Sequence, residues 1–215
     1  MKIELLSAEG KCLVDYKTYV RGQKKPITPR KPVVRPEEIE TVEELYINGL
    51  HLEQYKQHNY DAADYYKEGI KRSKNDIRCN TSMARISYKN GQFEDCIGFA
   101  DAAIVSLTNR NMHPSDAEAF YFKGLALKAL GREKEAYDVL SMAAWDYKFR
   151  SAAYYELALL DCMMSDFDAA VEKLDTSLCY NKNHTKALNI KALILMKLSK
   201  NDDAEKILKS VQEFD

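Results

Sequence analysis

The chain has 215 residues, 46% hydrophobic and 30% charged, with a formal net charge of −1 at pH 7. That is long enough for one substantial core, and its near-neutral balance argues against a duplex nucleic-acid binder, which needs a clustered basic face. No apolar run approaches the roughly 18–20 residues of a membrane span, and Met1–Leu6 lacks the apolar stretch of a secretory signal.

At the start of the chain, Lys2–Leu6 and Cys12–Tyr16 alternate apolar and polar residues around Ala8-Glu9-Gly10-Lys11. This pattern predicts a β-hairpin within residues 1–20. Two strands alone are only marginally stable. Either the hairpin docks on the helices, or it is the end of a preceding β domain; the second reading is preferred. Arg21–Arg35 then carries Pro26, Pro29 and Pro32, with Pro36 just beyond, among six basic residues. Proline at this density opposes helix and favours extended chain, so residues 21–41 read as a linker. The PxxP spacing of Pro26–Pro29 and Pro29–Pro32 is common in such linkers and points to no particular ligand.

From residue 42 onward the pattern is helical. Thr41-Val-Glu-Glu44 has the form of a capping box and opens a helix over about 42–57; Asp61–Ser73 supplies the next. Helices continue near Ile77–Asn90 and Phe93–Leu107, with Gly91 ending the first of them in a left-handed cap. Asn111–Asp116 is an insertion containing Pro114, and Ser115-Asp-Ala-Glu118 is a second capping-box candidate. The stretch AFYFKGLALKALGREKEAYDVLSMA (119–143) reads as two amphipathic helices joined at Gly131.

That stretch recurs in a register of about 34 residues. With Gly124 at position 8, position 15 is Gly131, position 20 Ala136, position 24 Leu140 and position 27 Ala143. Units starting at Ser151 and Thr185 place Ala158 and Ala192 at position 8, Ala170 and Ala204 at position 20, and Leu174 and Leu208 at position 24. Upstream, Ala84, Gly91, Cys96, Ala100 and Ala103 fall at positions 8, 15, 20, 24 and 27. Small residues at 8 and 20 let paired helices cross at the short end of the usual 8–10 Å separation. This pattern resembles the tetratricopeptide repeat (TPR).

The resemblance implies an all-α fold: a TPR solenoid of about five helical hairpins after a short N-terminal β-hairpin. The expected units are about 42–76, 77–110, 117–150, 151–184 and 185–215. Each unit cannot cover its own apolar face, so neighbours stack into a right-handed superhelix with a concave groove lined by first helices. The last helix, about Asp202–Glu213, has no polar capping helix after it, so Ile207, Leu208, Val211 and Phe214 are expected to be partly exposed and to offer a self-association surface. The cysteines at 12, 79, 96, 162 and 179 are odd in number and lack CxxC spacing. Free thiols and a cytoplasmic location are the resulting expectations.

In this architecture positions 2, 5, 9 and 12 of each first helix point into the groove. They bring forward Tyr46, Arg78, Arg85, Tyr88, Tyr121, Lys128, Tyr155 and Asn189 as candidates to hold an extended or helical peptide, with the rings as anchors. The same tyrosines equally suit packing between successive helices. Some TPR domains clamp a chaperone's C-terminal carboxylate with lysine, asparagine and arginine. The matching positions here hold Tyr46, Leu50, Ser82, Glu118 and Phe122, so that clamp is absent.

No metal-ligand spacing, glycine-rich phosphate loop or GxSxG elbow is present. His58, His113 and His184 stand isolated at turns. The unusual stretch Gly49–Tyr55 carries His51 and Glu53, whose i,i+2 spacing puts them on different helix faces. They remain the alternative site candidates.

Four strings, EELYINGLHLEQY (43–55), DIRCNTSMARISYKNGQF (76–93), HPSDAEAFYFKGLALKALGR (113–132) and AAWDYKFRSAAYYELA (143–158), are together similar to something narrower. They resemble the C-terminal helical region of uncharacterised bacterial proteins that begin with a galactose-mutarotase-like β-sandwich. That resemblance implies a helical part supporting a carbohydrate-active domain. The sandwich itself is not in this chain, so its activity does not carry over. The sequence therefore reads as a non-enzymatic scaffold for a protein or peptide, with no cofactor, nucleic acid or membrane as partner.

Overall fold

A computed structural model describes residues 2–17, 33–55, 59–109, 111, 114 and 116–212. The prolines through Pro32, Gln57, His58, His113, Ser115 and Phe214 lie outside them. The chain divides into two units, residues 1–34 and 35–215. The first holds an antiparallel hairpin of β1 (Lys2–Leu6) and β2 (Cys12–Lys17), in which Ile3 faces Tyr16 and Leu5 faces Val14. Every residue of both strands is exposed.

Among the described residues, ten α-helices make up the second unit. They are α1 (Val42–Tyr55), α2 (Ala62–Arg72), α3 (Ile77–Lys89), α4 (Phe93–Thr108) and α5 (Glu118–Ala129), then α6 (Glu133–Ala143), α7 (Tyr147–Met163), α8 (Phe167–Tyr180), α9 (Thr185–Lys197) and α10 (Asn201–Gln212). Consecutive helices pack pairwise, and the first helices α3, α5 and α7 also touch in series. This is the stacked-hairpin topology that the 34-residue register predicts.

The small residues sit at the helix crossings. A Cβ added to Gly124 would lie 2.5 Å from Cγ of Leu140, and one added to Gly49 would lie 2.6 Å from the Tyr66 ring. Ala84, Ala158 and Ala192 at position 8, and Cys96, Ala136 and Ala170 at position 20, are wholly buried. At position 27 of the fourth hairpin the small residue is Ser177, whose hydroxyl donates to the Ser151 carbonyl at 2.7 Å and so stays satisfied where water cannot reach.

The turns repeat as closely as the crossings do. Position 15 adopts positive φ in four hairpins: Gly91 (76°), Gly131 (72°), Ser165 (64°) and Ser199 (61°). In each, the next amide reaches back five residues: Gln92 to Ser87, Arg132 to Leu127, Asp166 to Asp161 and Lys200 to Leu195, all within 2.8–2.9 Å. This is the Schellman closure, which needs one left-handed residue and which glycine enters at least cost.

Three expectations need correction. The first helix of the fourth hairpin begins at Tyr147, one turn before the expected Ser151, because Asp146 accepts from the Lys148 amide at 2.9 Å and caps it there. Helix α5 begins at Glu118, later than a cap at Ser115 would set it; Asp116 and Asp146 accept from the amides of Glu118 and Ala117, both at 3.1 Å. Val211 is buried rather than partly exposed. The end of the expected linker is also held on the helices. Arg72 donates to the carbonyls of Pro36, Glu37, Ile39 and Glu40, and Ile39 is buried.

Candidate functional site

Groove positions on successive first helices carry opposite charges, and the structure joins them. Arg78 on α3 pairs with Glu43 on α1 at 2.7 Å, and its guanidinium lies 4.9 Å from the centroid of the Tyr46 ring. Further along, Arg85 sits between Glu53 of α1 at 2.6 Å and Glu118 of α5 at 2.5 Å. Tyr66 of α2 donates its hydroxyl to the same Glu53 at 2.8 Å. Burial works against the Arg85 charge, but the two carboxylates outweigh it and raise its pKa. Lys128 on α5 pairs likewise with Glu156 on α7. The cations that the sequence offered to a ligand are thus already neutralised by neighbouring repeats.

The aromatic candidates behave in a similar way. Tyr121 stacks on Phe149 of α7 at 5.1 Å and meets Phe122 edge-on at 5.7 Å. Burial raises its phenol pKa well above the usual value. Tyr88 lies between Phe93 and Phe122, at 5.7 and 5.8 Å. Tyr46 is half-buried against Tyr66 at 6.1 Å, and Tyr155 rests on the His184 ring at 4.9 Å. His184 is an N-cap rather than an idle turn residue, since its Nδ1 accepts from the Ala187 amide at 3.0 Å.

Asn189 differs from the other groove candidates because it is exposed, on α9. Its neighbours on the same groove face, Leu193 and Met196, are 61% and 50% exposed. The equivalent Leu125 of the third hairpin is buried and Lys128 half-buried, both with α7 packed beyond them. The groove therefore changes character along its length, from paired charges and packed rings on α1, α3 and α5 to open apolar surface on α9.

His51 and Glu53 are not brought together. His51 is exposed against Tyr55, their rings 4.4 Å apart, whereas Glu53 is turned to Arg85 and Tyr66. Glu53 borders a cleft of about 500 Å³ with Asp61, Lys67, Asn90 and Asp95, and His51 does not line it. Among the described residues no cluster of histidine, cysteine and carboxylate side chains could hold a metal ion. No helix among them is long and apolar enough to cross a membrane.

Sequence reasoning missed one buried ion pair. Asp161 occupies position 11, where the third and fifth hairpins have Leu127 and Leu195, and it is buried. Lys173 of α8 bonds to it at 2.5 Å and lies 5.2 Å from the Tyr137 ring. The signal was a carboxylate in an apolar slot of the register. The groove charges Glu43, Arg78, Arg85 and Glu118 were legible by position in adjacent units, although which of them would pair was not.

No protein-family model matches the sequence. Solved structures do share the fold. A crystal structure of MamA is 22% identical, with a TM-score of 0.65, covering 77% of this chain and 92% of that one. The pilF protein of Pseudomonas aeruginosa is 18% identical with a TM-score of 0.69, covering 80% and 75%. YrrB, described as a TPR protein with an unusual peptide-binding site, is 22% identical with a TM-score of 0.58, covering 71% and 76%. Residues 35–215 have the fold of the TPR solenoids, an all-α stack of five helical hairpins.

Proposed function

We propose that the protein is a non-enzymatic scaffold that holds a segment of a partner protein along its first-helix groove, anchored at the end built by α7 and α9. The observation that carries this reading is the exposure of Leu193 and Met196 at groove positions, 61% and 50%, where inner hairpins cover their equivalents. Apolar side chains in a row on a rigid helix suit a partner that brings its own apolar residues. Tyr155, half-buried at a groove position of α7, adds a ring with a polar tip. The described peptide-binding site of YrrB supports the same use of the fold.

The groove on α1, α3 and α5 contributes rigidity in this reading. Its arginines are held by carboxylates, so a ligand would have to displace an internal ion pair to reach them. The alternative role, as the helical part of a carbohydrate-active protein, needs His51 and Glu53 beside one cleft, and their divergence gives it no support.

The test compares partners captured by the native chain and by a Leu193→Asp, Met196→Asp double variant of unchanged helicity. Loss of the captured proteins with the variant is the expected result. Equal recovery by both would reject the groove's open end as the binding surface. A Tyr46, Tyr121, Tyr155 triple alanine variant is less clean, because Tyr121 also holds α5 to α7.

A further inference from the structure

A second surface lies away from the groove. The turn between α6 and α7 carries Trp145, the chain's one tryptophan, which is 64% exposed. Beside it a cleft of about 410 Å³ opens between α6, α7 and α8, lined by Ser141, Trp145, Arg150, Tyr154, Lys173 and Tyr180 among others. That volume falls within the roughly 300–1,000 Å³ range of ligand sites. None of these residues occupies a groove position, so this site is separate from the one proposed above.

The charge of the cleft is unbalanced. Arg72, Arg78, Arg85 and Arg132 each pair with a carboxylate. Arg150 has none within ion-pair distance among the described residues. Its Nε and Nη2 donate to the carbonyls of Ala144 and Trp145, both at 2.9 Å, and its Nη1 faces the Tyr180 hydroxyl at 3.4 Å. Those carbonyls end α6 and supply only a partial negative charge. They hold the guanidinium in place, 5.0 Å from the Tyr180 ring centroid and 5.9 Å from that of Tyr147. Lys173 also lines the cleft but is held by Asp161 at 2.5 Å, so Arg150 is its uncompensated cation, and among the described residues no carboxylate lines the cleft. An oriented, uncompensated arginine flanked by exposed aromatic rings is the arrangement that recognises a carboxylate together with an apolar side chain.

We propose that the Trp145–Arg150–Tyr180 cleft docks an acidic segment of a partner protein, with a carboxylate on Arg150 and an apolar side chain against Trp145 and Tyr180. Charge complementarity selects this occupant. One uncompensated cation is too few for a nucleic-acid backbone, whose binding rests on many phosphate contacts.

The test uses labelled synthetic peptides with a Leu-Phe core flanked by aspartates, and the same peptides with asparagines or lysines instead. Binding is monitored by anisotropy and by the emission of Trp145, which reports from the cleft itself. The aspartate peptide is expected to bind and shift that emission, at least about tenfold more tightly than the asparagine peptide. Arg150→Gln and, by anisotropy, Trp145→Ala are each expected to weaken it by about tenfold or more. The Leu193→Asp, Met196→Asp variant should bind it unchanged, which separates this site from the groove. Trp145→Ala keeps the test valid if Arg150→Gln alters the end of α6. Equal binding of aspartate and asparagine peptides, no binding of either, or indifference to both substitutions would overturn the proposal. So would Arg150-dependent binding of an oligonucleotide, or Arg150-dependent dimerisation.

Discussion

The third and fifth hairpins carry the same register but not the same surface. Position 24 is Leu140 in the third and Leu208 in the fifth; the first is fully buried and the second 37% exposed. Position 9 runs from buried Leu125 through half-buried Leu159 to Leu193 at 61%. Position 8 does not change, since Gly124 and Ala192 are both buried. Contacts inside a hairpin are thus complete in every unit, whereas contacts between hairpins need a neighbouring unit on the C-terminal side. A side chain's exposure here is decided by its neighbour along the stack rather than by its own helix.

Truncation at position 24 tests that difference with the largest expected effect. Leu140→Ala should cost about 3–5 kcal/mol, the range for a fully buried leucine whose cavity cannot collapse. Leu208→Ala should cost about 1 kcal/mol or less, because much of its surface is already wet. Denaturant titration of both variants decides it, and equal losses would break the comparison.

The fourth hairpin sharpens the point, because its position 11 is Asp161 instead of leucine. Lys173→Met should cost about 3 kcal/mol by leaving a buried carboxylate unpaired. Adding Asp161→Leu should restore most of that stability, since the apolar pair matches the neighbouring hairpins. Thermal melts of the single and double variants check this, and a double variant no more stable than the single would contradict it.

Buried thiols give the second hairpin a pH effect of its own. Burial pushes the Cys79 and Cys96 thiols up to about 12, against 9.0 for an ordinary thiol. A group whose folded pKa is raised contributes stability that is fully present below its unfolded value and is lost as pH rises toward the folded one. Stability should therefore fall between about pH 9 and pH 12. Cys79→Ala, Cys96→Ala should flatten that slope most between about pH 9 and 10, as measured by denaturant midpoints. Above that range buried tyrosines such as Tyr121, also raised by burial, add a slope of the same sign. The exposed Cys179 should react with a thiol reagent in the folded chain, while Cys79 and Cys96 should not.

The smallest effect lies in the turns. Ser165 and Ser199 hold the left-handed position that Gly91 and Gly131 fill elsewhere. Ser165→Gly should gain up to about 1 kcal/mol, as relief of left-handed strain exceeds glycine's entropy cost. Ser199→Gly should raise global stability less, because the terminal hairpin can fray by itself.

These elements also show what the sequence could and could not disclose. Spaced small residues were legible because a crossing tolerates no Cβ at Gly124, and that steric demand leaves its mark at each 34-residue step. Serine carries no comparable mark of positive φ, so Ser165 and Ser199 became visible only in their repeat context. Groove residues could be nominated by position, yet their partners could not. Phe149 reaches Tyr121 because Asp146 starts α7 a turn early, a consequence of one local cap. Arg78 and Arg85 looked available to a ligand until adjacent repeats supplied Glu43, Glu53 and Glu118 across the stack. Periodicity reports a residue's position within its hairpin; charge pairing between hairpins depends on how far each is offset from the next.

Native-state hydrogen exchange tests most directly whether the next hairpin along the stack decides what is buried. The expected result is graded protection, greatest for the amides of α5 to α8 and lower by orders of magnitude in α9 and α10, which open without unfolding the rest. Equal protection of α5 and α10, lost in one cooperative step, would contradict the account.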